Sequence, residues 1–452
     1  MLMATSSAQS AISNSGQERE ESSRESGARW SPGTRVAFRF CFIYFILFSL
    51  SNQIFGGLLL IPKVDIPDPG TLWPMRQITF WTAKHIFRVT YELVYTGSGS
   101  GDKTFDWVQV FCLLVIAVVG TVAWSIADRR RESYPELYKW FRLFVRFALA
   151  SEMFLYGFDK IIPLQMPFPY LVRLLEPYGK FSPMAVLWSS IGASRSYEIF
   201  AGSAEALGGV LLLAPRTTTL GALVCLADMI QVFLLNMTYD VPVKLFSFHL
   251  ILFVLLLLAP DLRRLWSFFF TERTTEPLRE PQLFRTPRAN RIAVIVQLLF
   301  GAYLIGMNIY MGVQAWHEYG GGRPRSALYG IWDVKKMTID GTERAALLDD
   351  KDRWRRMVFD FVDSVSVQAM DENSTGYKCS IDEKAKSLSL MKRTDDKWKA
   401  DFSFERPTKD ALVVDGTMDN HKIHAEMKLF DLNQFTLINR GFHWINEYPF
   451  QR

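Results

Sequence analysis

The sequence predicts an α-helical polytopic membrane protein of about seven transmembrane helices, fused to an all-β C-terminal barrel, and three observations carry that prediction. Apolar runs at residues 36–61, 105–127, 141–162, 197–214, 217–238, 243–260 and 291–314 approach the ~20 residues that a helix needs to cross a hydrocarbon core. Beyond residue 326 the pattern changes to short segments in which apolar and polar residues alternate, the period of half-buried strands. The composition fits such a mixture, with 49% apolar residues but a mean hydropathy of only +0.07. The net charge of +5 is small and dispersed, and no stretch interleaves basic and aromatic residues as a nucleic-acid module would, so nucleic acid is excluded as a partner.

Residues 1–34 are rich in Ser, Glu and Gly and are expected to be disordered, because they cannot bury enough apolar surface to offset chain entropy. Residues 35–135 hold the first two spans. Between them TLWPMRQITFWTAKHIFRVTYELVYTG alternates aromatic and basic side chains, as an interfacial helix does. The runs at 197–214 and 243–260 are the shortest and could be buried helices of a soluble fold, but their neighbours are too apolar to hide in one. Lys and Arg accumulate in DRRRESYPELYKWFR and in the loop that includes the linker 266–290, and basic loops stay cytoplasmic. That orientation puts the N-terminus in the cytoplasm and residues 326–452, after the seventh span at 291–316, outside it.

Charged residues at bilayer depth usually face a bundle interior and often mark function. Glu152, Tyr156 and Lys160 recur at i, i+4 and i+8 and share one helix face. Glu198 and Glu205 lie two turns apart on the next helix, on a stripe with Gly202 and Gly209 that allows close approach. Asp228, Asp240, Lys244 and His249 complete an expected polar column, with Glu152, Glu205 and Asp228 as its floor and NMTYDVPVKLFSFHL as its outer mouth. Three floor carboxylates without a cation at the same depth would not all stay ionised, since burial and like charge both favour the neutral acid. The loop between the third and fourth spans, rich in Pro and aromatics, is expected to cap this column. Cys41, Cys112, Cys225 and Cys379 form no CxxC and no spaced cluster, so thiol redox chemistry and a bound metal are not expected.

The stretches FAGSAEALGGVLLL, PRTTTLGA and NMTYDVPVKLFSFHL resemble the DoxX-type membrane proteins over residues 140–262. The resemblance implies a four-helix membrane bundle, set here at 136–265, in a bacterial inner membrane. It also implies association with quinone-reducing membrane subunits and redox partner proteins, but supplies no catalytic residue set. In the C-terminal domain, LYGIWDVKKM carries Gly330 and Trp332 in a G-x-W arrangement, and the last expected strand carries Arg440. This resembles the lipocalin or calycin pattern, which implies that Trp332 closes the barrel base and that Arg440 packs across it as a structural residue. Such a barrel can hold a small apolar ligand or be filled by its own side chains. Three functions are therefore weighed: a redox-associated protein that handles a quinone or similar lipid-soluble carrier, a proton-coupled transporter of small solutes, and a non-enzymatic envelope protein that presents the barrel. Whether the chain is itself an enzyme stays open at this point.

Overall fold

The computed structural model describes residues 29–64, 66–274, 281–395 and 397–451. Its helices are α1 (Pro32–Ser51), α2 (Gln53–Leu58), α3 (Met75–His85), α4 (Thr104–Ala127), α5 (Pro135–Ile161), α6 (Leu171–Leu175), α7 (Pro183–Gly192), α8 (Arg195–Leu213), α9 (Thr218–Thr238), α10 (Lys244–Leu258), α11 (Leu262–Phe270) and α12 (Pro287–Glu318). Strands β1 (Arg325–Ile339), β2 (Thr342–Glu343), β3 (Trp354–Phe361), β4 (Ser364–Ala369), β5 (Ser374–Asp382), β6 (Ser387–Lys392), β7 (Lys399–Thr408), β8 (Ala411–Met418) and β9 (His421–Leu429) follow, and then α13 (Thr436–Asn439). Two compact units result. One runs through Ile161 and includes Phe200–Gly312; the other joins Ile162–Ile199 to the chain from Val313 onward.

In the helical unit, five helical stretches among the described residues are long and apolar enough to cross a membrane: Pro32–Ser51, Thr104–Ala127, Pro215–Thr238, Lys244–Phe270 and Pro287–Glu318. The remaining two expected spans fold as helices α5 and α8, but α5 carries Arg142, Arg146, Glu152, Asp159 and Lys160, and this charge keeps it outside that group. The run expected as one span over 36–61 is broken at Asn52, whose side chain caps α2 by accepting the Ile54 amide at 3.0 Å. Most of the segment expected to be disordered lies outside the described residues, and α1 begins at Pro32, inside its predicted limit. Ser31 caps α1 and Pro32 occupies its first turn. Buried side chains of α1, α5, α9 and α10 share one core, with Ala148, Leu149, Met153, Phe154, Phe253 and Val254 all 1% exposed or less.

The second unit is a closed barrel of eight antiparallel strands. Consecutive strands pair from β3 to β9, β1 pairs with β3, and β9 returns to β1 from Trp332↔Leu429 to Ile339↔Ile423; two-residue β2 extends one end of β1. Asp340-Gly341 and Asp419-Asn420 all have positive φ, the geometry of tight hairpin turns. Alternate residues point inward, as in β7 with Ala400, Phe402 and Phe404. Together with Trp332, Met337, Phe359, Leu388, Leu390 and Leu412, these side chains fill the interior.

Gly330 explains the G-x-W arrangement: its φ is +138°, and a Cβ there would lie 2.6 Å from Leu429 Cδ1. Trp332 is fully buried and donates from Nε1 to the Leu328 carbonyl at 2.8 Å. The assignment of Arg440 to a last strand is corrected. The residues after β9 form a 3-10 turn at Leu432–Gln434 and then α13, because pairing of β9 with β1 has already closed the barrel and leaves no edge to extend. Arg440 binds Asn446 Oδ1 at 2.7 Å and lies over Phe450, while the guanidinium over the Trp332 ring is that of Arg406, 5.5 Å from its centroid. The loop expected to cap the polar column is grouped with the barrel. There Leu171 packs with Ile331 and Val358 while its amide donates to Asp360.

At one barrel end Asp340 accepts from His421 Nδ1 at 2.6 Å and from the Lys422 amide at 2.8 Å. The His421 bond holds the Asp340 carboxyl below its usual 3.8, and the same bond raises the His421 imidazole above 6.5. The Asp340 contribution is present above about pH 3.8 and lost as pH falls through its lowered value; that of His421 is present below about pH 6.5 and lost as pH rises through its raised value. Protection of the Lys422 amide against hydrogen exchange is therefore expected to be greatest between those limits and to decline on both sides. In His421→Ala the alkaline decline should vanish, and a decline that persists unchanged would refute this assignment.

Candidate functional site

The unbroken helical register of α5 sets Glu152, Tyr156 and Lys160 on one face. Glu152 is fully buried, and its Oε2 accepts from Gln53 Nε2 at 2.7 Å. The same amide nitrogen donates to the Tyr156 hydroxyl at 3.0 Å. Glu152 Oε1 has no hydrogen-bond partner among the described residues, and a Cβ built on Gly57 would lie 3.1 Å from it. Gln53 reaches this acid because the chain breaks at Asn52 and restarts as α2. Sequence reasoning missed Gln53, although the polar SNQ inside an apolar run, followed by Gly56-Gly57, was the available signal.

One turn further along α5, Lys160 Nζ donates to Glu205 Oε2 on α8 at 2.9 Å, with both side chains buried. Two glycines make that reach short. A Cβ on Gly202 would meet the Gly157 carbonyl at 2.4 Å, and one on Gly157 would meet the Gly202 carbonyl at 2.9 Å, so the backbones are in contact at the crossing. The expectation that none of the three floor carboxylates has a cation beside it is thereby corrected for Glu205, since a lysine stem is long enough to carry its charge to the neighbouring helix. Asp228 is half-buried, and its Oδ2 lacks a partner among the described residues, within electrostatic range of Glu205 and Lys160. Asp159, which the sequence reading passed over, senses the same two charges.

The other expected members of the column have different occupations. Glu198 accepts the Met166 amide at 3.0 Å. His249 sits 2.7 Å from the Leu245 carbonyl through Nδ1 and 2.7 Å from the Tyr44 hydroxyl through Nε2, and its ring stacks on Phe48 at 4.0 Å. A carbonyl can only accept, so Nδ1 carries a proton and donates to Leu245, and in the neutral ring Nε2 then accepts from the Tyr44 hydroxyl. Asp240, at φ 52°, is exposed and pairs with Lys244 at 2.8 Å. Asp102 is bound to the start of the same helix. Its two carboxylate oxygens accept the Lys244 and Leu245 amides at 2.9 and 2.8 Å, capping α10, and the adjacent Gly101 amide donates to Pro242.

Arg142 and Arg146, also unforeseen, are buried where helices end. Arg142 donates to the Leu257 carbonyl, and Arg146 to those of Leu212 and Leu213 and to Gln297, so they satisfy carbonyls that lack a helical donor. What remains for chemistry is a compact acid site. Glu152 offers an oxygen that becomes a donor when protonated, Tyr156 offers a hydroxyl proton, and the Lys160–Glu205 pair lies one turn beyond Tyr156.

Among curated proteins, the chain is 31% identical over 151 residues to the "Uncharacterized protein YwoB" of Bacillus subtilis (strain 168), a match that covers 31% of this chain and 86% of that protein. No family model matches the chain, and no solved structure matches it.

Proposed function

We propose, for a chain that belongs to the family of the Bacillus subtilis protein YwoB, the role of a DoxX-like integral membrane protein whose buried acid site handles the protons of a quinone or similar lipid-soluble carrier. In this reading α5 and α8 also cross the bilayer. Their charges are tolerable because they pair with one another and with helix-end carbonyls inside the bundle. The N-terminus is cytoplasmic, the barrel lies outside, and a partner protein exchanges electrons with the carrier.

The observation that carries the proposal is Glu152, fully buried, with one oxygen held by Gln53 and the other unpartnered among the described residues beside Tyr156. Burying a carboxylate with an unsatisfied oxygen is costly, whereas the protonated acid turns that oxygen into a donor aimed away from Gln53. Glu152 and Tyr156 would hold a carrier by its carbonyl oxygens, and the carrier itself would supply the redox chemistry. Gln53 fixes both groups in place, and the surrounding apolar side chains exclude water. A solute pathway through the mouth is the weaker reading, since Asp102, Lys244 and His249 are already committed to bonds that hold helices together. The barrel, filled by its own side chains, serves in this proposal as a rigid outer module.

Organic extraction of the purified full-length protein is expected to yield a near-stoichiometric quinone-type carrier. Glu152→Leu keeps most of the side-chain volume but offers no hydrogen-bond donor, and is expected to lower the retained carrier at least about tenfold, the effect of losing roughly 1.4 kcal/mol of binding. Equal carrier content in the two proteins, or none in either, would overturn the proposal.

A further inference from the structure

Helix α11, LRRLWSFFF, has no buried residue, although it continues from the apolar α10. At about 100° per residue, Arg263, Ser267 and Arg264 fall on one narrow arc and the apolar side chains fill the rest. Leu265 alone packs against the helical core; Leu262, Trp266, Phe268, Phe269 and Phe270 are each 55–69% exposed. A soluble surface would not leave such a patch bare.

Depth supplies the occupant. From Lys244, at the mouth, to Leu262 is a helical rise of about 27 Å, close to the ~30 Å of a hydrocarbon core. Arg263 and Arg264 therefore fall at the opposite headgroup level, where guanidinium groups meet phosphates. Arg264 also bonds Asp261 at 3.3 Å, while Arg263 is exposed. The aromatic arc matches the boundary between headgroups and acyl chains, where Trp and Phe partition.

We infer that α11 is an interfacial helix that docks on anionic phospholipid, with Arg263 and Arg264 as headgroup ligands and Trp266, Phe269 and Phe270 as its buried wedge. Positive charge on the polar arc and apolar continuity with α10 favour this surface over a protein partner.

The full-length protein would be reconstituted in nanodiscs of phosphatidylcholine, of phosphatidylcholine with phosphatidylglycerol, and of phosphatidylcholine with inorganic phosphate in solution. Amide exchange over residues 262–270 is expected to slow about fivefold per engaged arginine in the phosphatidylglycerol discs only. Arg263→Gln, which leaves the Arg264–Asp261 contact intact, should remove about one such factor. Independently of any arginine variant, brominated acyl chains should quench the fluorescence that Trp266→Phe subtracts. Exchange that ignores lipid charge, protection by free phosphate alone, protection that grows with protein concentration in any lipid, or unquenched Trp266 would each overturn the inference.

Discussion

Lys160→Met is expected to destabilise the helical unit by about 3–5 kcal/mol, the cost of leaving one member of a buried ion pair without its partner. Glu205 is 3% exposed and its Oε2 depends on Lys160 Nζ at 2.9 Å, so removal of the ammonium strands a carboxylate against Asp159 and Asp228. Met conserves most of the stem volume at a position where Gly157 and Gly202 leave no slack. The double replacement Lys160→Met, Glu205→Leu should recover most of the loss, because it removes the stranded charge together with its partner. Unfolding midpoints in a single detergent across the four proteins of this cycle measure the coupling. A lysine variant no less stable than the parent would show that the pair contributes nothing to holding α5 against α8.

Trp332→Ala should cost the barrel about 3–5 kcal/mol, through lost burial together with the cavity left behind. The indole is fully buried, its Nε1 satisfies the Leu328 carbonyl, and Arg406 lies over its face. Trp332→Phe should cost less, since it keeps the ring and loses only the Leu328 bond and part of the volume. Strand-amide exchange of β1 and β9 in the full-length protein would report both changes, and equal protection in Ala and parent would rule out Trp332 as a keystone of the barrel.

The helices and the barrel were legible because each rests on a period: apolar runs about one bilayer long, and alternation over short segments. So was the shared face of Glu152, Tyr156 and Lys160, a property of one helix. Distant partners were not legible. Gln53 meets Glu152 across 99 residues and Asp102 meets Lys244 across 142, and no local pattern encodes such pairs. The Lys160–Glu205 pair was not legible either, because spacing along the chain ignores the length of a lysine side chain. Arg440 was misplaced for another reason: FTLINRGFHWINE alternates like a strand, but whether it pairs depends on an open edge, and β9 had already taken it.

The break at Asn52 makes the acid site depend on residues far away in the sequence. The block of residues 140–262 contributes Glu152, Lys160 and Glu205, but Gln53, Tyr44 and Asp102 all come from the helices and loop that precede it. The acid site is thus a composite of two sequence segments, and an excised block would keep its acid while losing the amide that orients it and the carboxylate that caps α10.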